Sequence, residues 1–77
     1  MTIEEAFGQA IRELRKANHF SQEKLADIST LDRSFISLLE SGKKQPSLIT
    51  IFQLAKALNS SPSKLLAKVE EIIQSSK

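Results

Sequence analysis

The sequence predicts an all-α fold: a compact bundle of five helices in a single domain spanning residues 1–77. Three features predict it. Apolar residues recur three and four positions apart along most of the chain, the spacing that lines one face of a helix. No segment alternates apolar and polar residues as a half-buried strand does. Short polar breaks holding Ser, Asp, Gly or Pro divide the chain into five pieces, and these breaks carry helix start and stop signals.

The first helix runs from about Ile3 to Ala17. Thr2 is placed to cap it, and Glu5 three residues later completes a capping box. Ile3, Phe7, Ile11 and Leu14 form its apolar stripe, and Gly8 inside it implies close packing of another helix. Ser21 caps the second helix, about Gln22 to Ser29, with Glu23 in the first turn where a negative charge is favoured. Asp32 caps the third, about Arg33 to Ser41, and Gly42 sits where helices commonly end. Pro46 and Ser47 open the fourth, about Leu48 to Leu58, with Leu48, Ile51, Leu54, Ala55 and Leu58 as its buried face. Ser61 followed by Pro62 starts the fifth, which runs to about Gln74, because proline tolerates the first helical turn.

Composition narrows the function. The chain has no cysteine and one histidine, so disulfides, thiolate metal sites and histidine metal clusters are not available to it. No apolar run approaches the roughly 20 residues of a membrane span. The acids in MTIEEAFGQA stand where a secretory signal carries basic residues. A cytoplasmic protein without membrane, cofactor, metal or small-molecule ligand is the expectation. Eleven basic against nine acidic residues leave a net charge of only +2, so the placement of charge matters more than its sum. There is no nucleophile–base constellation, and with two glycines there is no phosphate-binding glycine loop, so an enzyme is not expected.

Residues 21 to 46, SQEKLADISTLDRSFISLLESGKKQP, carry the functional signal. They read as helix, short turn, helix and basic loop. Leu25, Ala26, Leu31, Ile36 and Leu39 are spaced to build one small core beneath the pair. Arg33, Ser34 and Ser37 fall on the opposite face of the second member. A short helix presenting an arginine and small polar groups, with Lys43 and Lys44 just beyond it, suits the major groove of DNA.

This pattern resembles the lambda-repressor-like helix-turn-helix domains of the XRE type, the family of Cro and the phage repressors. The matching pieces are LRK at 14–16, SQEKLA at 21–26, RSFIS at 33–37, ESG at 40–42, PS at 46–47 and LAKAL at 54–58. Together they cover roughly residues 3 to 67. Within the family, DRSFISLLESGKKQPSLITI is most similar to the small controller proteins of restriction–modification systems. The resemblance implies sequence-specific binding of double-stranded DNA as a homodimer, and control of transcription. It also implies an internal ion pair between Arg15 and Glu40, a device that fixes orientation more than it adds stability. One residue departs from the pattern. Family members usually carry glycine in the turn, where Thr30 stands here. That position wants a positive φ, which a β-branched residue fits poorly. Either Thr30 is strained or the turn takes another geometry.

Individual residues carry competing readings. Arg33 is placed to read guanine through a two-point contact, against the alternative of pairing with Asp32 or Asp27. Ser34 and Ser37 lie on its face but are too short to be diagnostic. Leu38 either touches a thymine methyl or completes the edge of the core. Gln22, at the start of the second helix, is assigned a phosphate contact aided by the helix N-terminus, against a merely solvated side chain. Lys43 and Lys44 are assigned to phosphate because they flank a recognition helix.

Ile49 and Phe52 fall off the buried face of the fourth helix, and Leu66, Val69 and Ile73 make a similar apolar surplus on the fifth. Part of this surplus has room to pack within one chain. A two-fold dimer patch accounts for the rest. A protein-interaction module remains the competing function. Antitoxins use the same fold, and the apolar surplus would then meet a toxin; a neighbouring toxin or endonuclease gene separates the two.

Overall fold

A computed structural model describes residues 1–76. Among them are five helices and no strand: α1 (Ile3–Ala17), α2 (Gln22–Ser29), α3 (Arg33–Glu40), α4 (Leu48–Ala57) and α5 (Pro62–Ser75). The starts are where the cap residues put them. Thr2 Oγ1 accepts from the Glu5 amide at 3.0 Å while the Glu5 carboxylate accepts from the Thr2 amide at 2.8 Å, so the capping box is closed. Those bonds hold the Glu5 carboxyl below its ordinary pKa range. Ser21, Ser47 and Ser61 each accept the amide three residues on. Asp32 differs from expectation. Its backbone has N-cap geometry and its carbonyl accepts the Ile36 amide, but its carboxylate makes no capping bond.

Four helices end in one way. The residue after the last turn takes the left-handed conformation, and two amides turn back onto the helix carbonyls, as in a Schellman motif. At the end of α1 the residue is His19, after α2 Thr30, after α3 Gly42 and after α4 Asn59. After α3, the Gly42 amide bonds Leu39 O and the Lys43 amide bonds Leu38 O. The turn between α2 and α3 therefore keeps the positive φ that glycine would favour. Thr30 holds it at φ 58°, ψ 37°, the strained alternative of the two.

The core gathers Phe7, Ile11, Leu25, Ile36, Leu39, Leu54, Leu58 and Leu65 around Ala6, Ala10, Ala26 and Ala55. α1 packs chiefly on α5 and α3, and α2 on α3 and α4. Because neighbours flank α1 on two sides, its buried face is widened by Ala6 and Ala10 rather than extended to Ile3. Ile3 lies exposed in the first turn, outside its expected stripe. The α4 face is also rotated from expectation. Leu48 is 70% exposed and Thr50 is buried in its place, its hydroxyl satisfied by Ser47 Oγ at 2.9 Å.

Candidate nucleic-acid interface

Arg15 and Glu40 anchor the interface. Arg15 Nε and Nη2 donate to the two oxygens of Glu40 at 2.7 and 3.0 Å, and Nη1 donates to Phe20 O at 2.9 Å. The two side chains are 12% and 6% exposed. Hydrogen bonding to Glu40, opposed by burial, raises the Arg15 pKa above its ordinary value, so the guanidinium keeps its charge. It ties α1 to the last residue of α3 and to the loop before α2. Breaking a buried pair of this geometry leaves an uncompensated charge, a cost of about 3–5 kcal/mol.

Packing aims α3 outward. Ile36 and Leu39 are fully buried and Phe35 packs on the core edge. Arg33 and Ser34 are then exposed, Ser37 is half-buried, and Leu38 lies at the exposed margin. All four expected base-contact residues share the region outside the core. Lys43 and Lys44 are exposed immediately past the Gly42 turn. Among the described residues the side-chain ion pairs are Arg15–Glu40 and Lys68–Glu13, so Arg33, Lys43 and Lys44 are not matched to a carboxylate.

Gln22 is not a merely solvated side chain. Its amide nitrogen donates to Glu40 Oε1 at 3.1 Å, and its amide oxygen accepts from Arg33 Nη1 at 3.3 Å. Beside it, Arg12, Arg15, Gln22, Ser37, Glu40 and Ser41 line an open polar cleft of about 230 Å³. Arg12 was not among the residues singled out by the sequence. It is exposed and free of ion pairs among the described residues. Its spacing is the signal that would have found it: it stands three residues before Arg15, on the same helical face.

The apolar surplus separates into two parts. Ile49, Phe52 and Leu66 are 72%, 56% and 41% exposed. Val69 is 5% exposed and belongs to the core, which corrects its assignment to a dimer surface. Ile73 is half-buried against the same core, so packing within the chain accounts for much of it. An apolar groove of about 290 Å³ lies between α1 and α5, with Ile3, Phe7, Pro46, Ile51 and Leu66 among its walls. No helix of the described residues is long and apolar enough to cross a membrane, and no group of three His, Cys, Asp or Glu among them is placed to hold a metal.

Two short helices held at a fixed angle, the second turned outward with unmatched cations beside it, are the working parts of a helix-turn-helix protein. The chain belongs to that family: the helix-turn-helix model matches residues 11–65. Restriction–modification controller proteins are among those it is similar to. The control protein C.SmaI of Serratia marcescens is 43% identical over 68 residues, which span 88% of this chain and 81% of that one. The crystal structure of the restriction–modification controller protein C.AhdI from Aeromonas hydrophila superimposes with a TM-score of 0.78 at 47% identity, over 80% of this chain and 94% of that one. The controller C.Esp1396I, solved as a tetramer on its natural 35 base-pair operator, shares the fold with a TM-score of 0.87 at 23% identity, over 96% of this chain and 97% of that one.

Proposed function

We propose that this chain is a sequence-specific transcription regulator of the restriction–modification controller type, acting in the cytoplasm as a homodimer on double-stranded DNA. One observation carries the reading: α3 is fixed from within by the Arg15–Glu40 pair, while Arg33, Lys43 and Lys44 around it are left without carboxylate partners among the described residues. Exposed cations without carboxylate partners among the described residues are suited to a polyanion.

Each subunit lays α3 in a major groove. Arg33 reads guanine O6 and N7, with Ser34, Ser37 and Leu38 contacting neighbouring base edges. Lys43 and Lys44 on one side, and Arg12 in the cleft on the other, grip phosphates and set the register. Ile49 and Phe52 on α4, with Leu66 on α5, meet their copies across a two-fold axis. That symmetry calls for a palindromic operator with half-sites about 34 Å apart, one helical turn. The protein acts by binding, and occludes or recruits polymerase without chemistry of its own. Similarity to controller proteins favours this reading over an antitoxin that meets a toxin.

Selection of bound duplexes from a random pool tests it. Enrichment of a palindrome with that spacing is the expected result. Recovery of no sequence, or of a single asymmetric half-site, overturns the dimeric operator.

A further inference from the structure

We propose that Asn18 is a positioning residue that sets the separation of the two recognition helices in the dimer, by clasping the end of α1 to the end of α4. The inference rests on the reading of the chain as a homodimer that meets its copy through the exposed face of α4.

Two carbonyl-rich helix ends converge on this one side chain. Asn18 follows the last residue of α1, and its Nδ2 donates to Leu14 O at 2.8 Å within the same helix. The same nitrogen donates to Leu58 O at 3.1 Å, just past the last residue of α4. Its Oδ1 accepts from Asn59 Nδ2 at 3.0 Å. Both N–H groups and the oxygen of the amide are thereby used. Turned over, the amide would present its oxygen to two carbonyls, so its orientation is set by its partners.

The turn after α4 leaves a place for this contact. The Leu58, Asn59 and Ser60 amides fold back onto Leu54 O, Lys56 O and Ala55 O. Those bonds satisfy the last turn of the helix. They leave Leu58 O, on a residue almost fully buried, to the side chain of Asn18.

The position of the clasp gives it a function. The principal packing pairs are α1 with α3 and α5, α2 with α3 and α4, and α4 with α5. Neither α1 with α4 nor α3 with α4 is among them. The recognition helix is seated on α1 through the Arg15–Glu40 pair, and α4 carries the exposed Ile49 and Phe52. The clasp therefore links the helix that seats α3 directly to the helix at the two-fold axis. Apolar packing is non-directional, whereas hydrogen bonds have preferred distances and angles. A slide of α4 against α1 is what the clasp resists. A displacement of about 1.7 Å in each subunit, doubled by the two-fold axis, alters the half-site separation by about 3.4 Å, one base-pair step.

Asn18→Ala removes the clasp. Asn59→Gly removes one bond of it and puts glycine at a position of φ 57°, which glycine favours. Melting curves and sedimentation establish that each variant folds and dimerises; if Asn18→Ala does not fold, Asn59→Gly carries the comparison. Affinities are measured for the selected operator, for the same operator with one base pair inserted or removed at its centre, and for a single half-site. The wild type should lose about tenfold or more when the spacing changes, and the variants about threefold or less, with equal half-site affinity throughout. Equal spacing penalties in wild type and variants would overturn the proposal. A variant that loses as much on the half-site as on the operator would overturn it too, because the clasp would then support the fold alone. Sedimentation of the wild type separates these failures from failure of the dimeric reading: a chain that stays monomeric at high concentration overturns that reading, and the proposal with it.

Discussion

Gly8 on α1 faces the terminal carbonyls of Leu39 and Glu40 on α3 so closely that a methyl group there would stand 2.7 Å from Glu40 O. The obstacle is backbone, which cannot swing aside as a long side chain can. The recognition helix is thus seated on α1 at a distance only glycine allows, and the Arg15–Glu40 pair closes over the same junction. Gly8→Ala would gain about 0.5–1 kcal/mol of helix propensity. Forcing the helices apart costs more, about 1–3 kcal/mol for an overpacked contact. Denaturant melts should show a net loss of stability, and operator binding should weaken with it as α3 shifts. Unchanged or raised stability would show that the junction yields freely.

Arg33→Ala should abolish operator discrimination and leave the fold intact. Its side chain is exposed and bonded only to Gln22 among the described residues, so the core does not depend on it. A lost two-point base contact costs about 1–3 kcal/mol. Affinity for operator and for scrambled duplex, taken in the same salt, gives the answer. Equal losses on both would reduce Arg33 to a phosphate contact.

Lys43→Ala and Lys44→Ala should weaken binding to every sequence alike. Each should also flatten the slope of log affinity against log salt by about one ion. The Lys43 amide is bonded to Leu38 O, which fixes the start of the loop against the end of α3. A slope that does not change would mean that these lysines never meet the DNA backbone.

Helix boundaries were legible because the caps are local: Thr2, Ser21, Ser47 and Ser61 each bond an amide three residues away, a contact written in the sequence itself. The recognition face was legible for a related reason, since Ile36 and Leu39 point α3 inward and leave Arg33 and Ser34 outside. What depends on neighbours was less so. α4 is apolar nearly all round, so its period does not choose a face; Leu48 and Thr50 exchanged places because a hydroxyl paired with Ser47 is no burden when buried. Val69 is buried because α1 packs on α5 in one core, a contact that the pattern of the fifth helix alone does not show. The bond from Gln22 to Arg33 joins residues eleven apart on different helices, and no local pattern announces it.

Thr30→Gly should raise stability slightly. Thr30 sits at φ 58°, a conformation that costs an ordinary L-residue about 1–2 kcal/mol. Glycine removes that strain but gives back about 0.4–1 kcal/mol through the freedom of the unfolded chain. The Thr30 hydroxyl bonds only the adjacent Ser29 carbonyl at 2.6 Å, and water replaces that contact readily. A rise of a few degrees in melting temperature at fixed protein concentration is expected for a net gain below about 1 kcal/mol. A clear drop would show that the turn holds threonine without strain.

Phe52→Glu should give monomers that bind operator far more weakly. Phe52 is 56% exposed and stands one helical turn from Leu48 and Ile49, which are 70% and 72% exposed. An apolar face of that kind on a small domain needs a cover. A two-fold axis through it brings each Phe52 near its copy, so a glutamate there would be desolvated against its own image. Half-sites read by separate monomers lose the linkage between the two contacts, and affinity falls by the effective concentration that linkage supplied, a factor of about 100 or more. Sedimentation of wild type and variant over a concentration series is the measurement, with circular dichroism to establish folding. A wild type that stays monomeric at high concentration defeats the dimer. The exposed position of Phe52 requires the variant to fold; if it does not, the side chain belongs to the core and α4 is rotated from the orientation described.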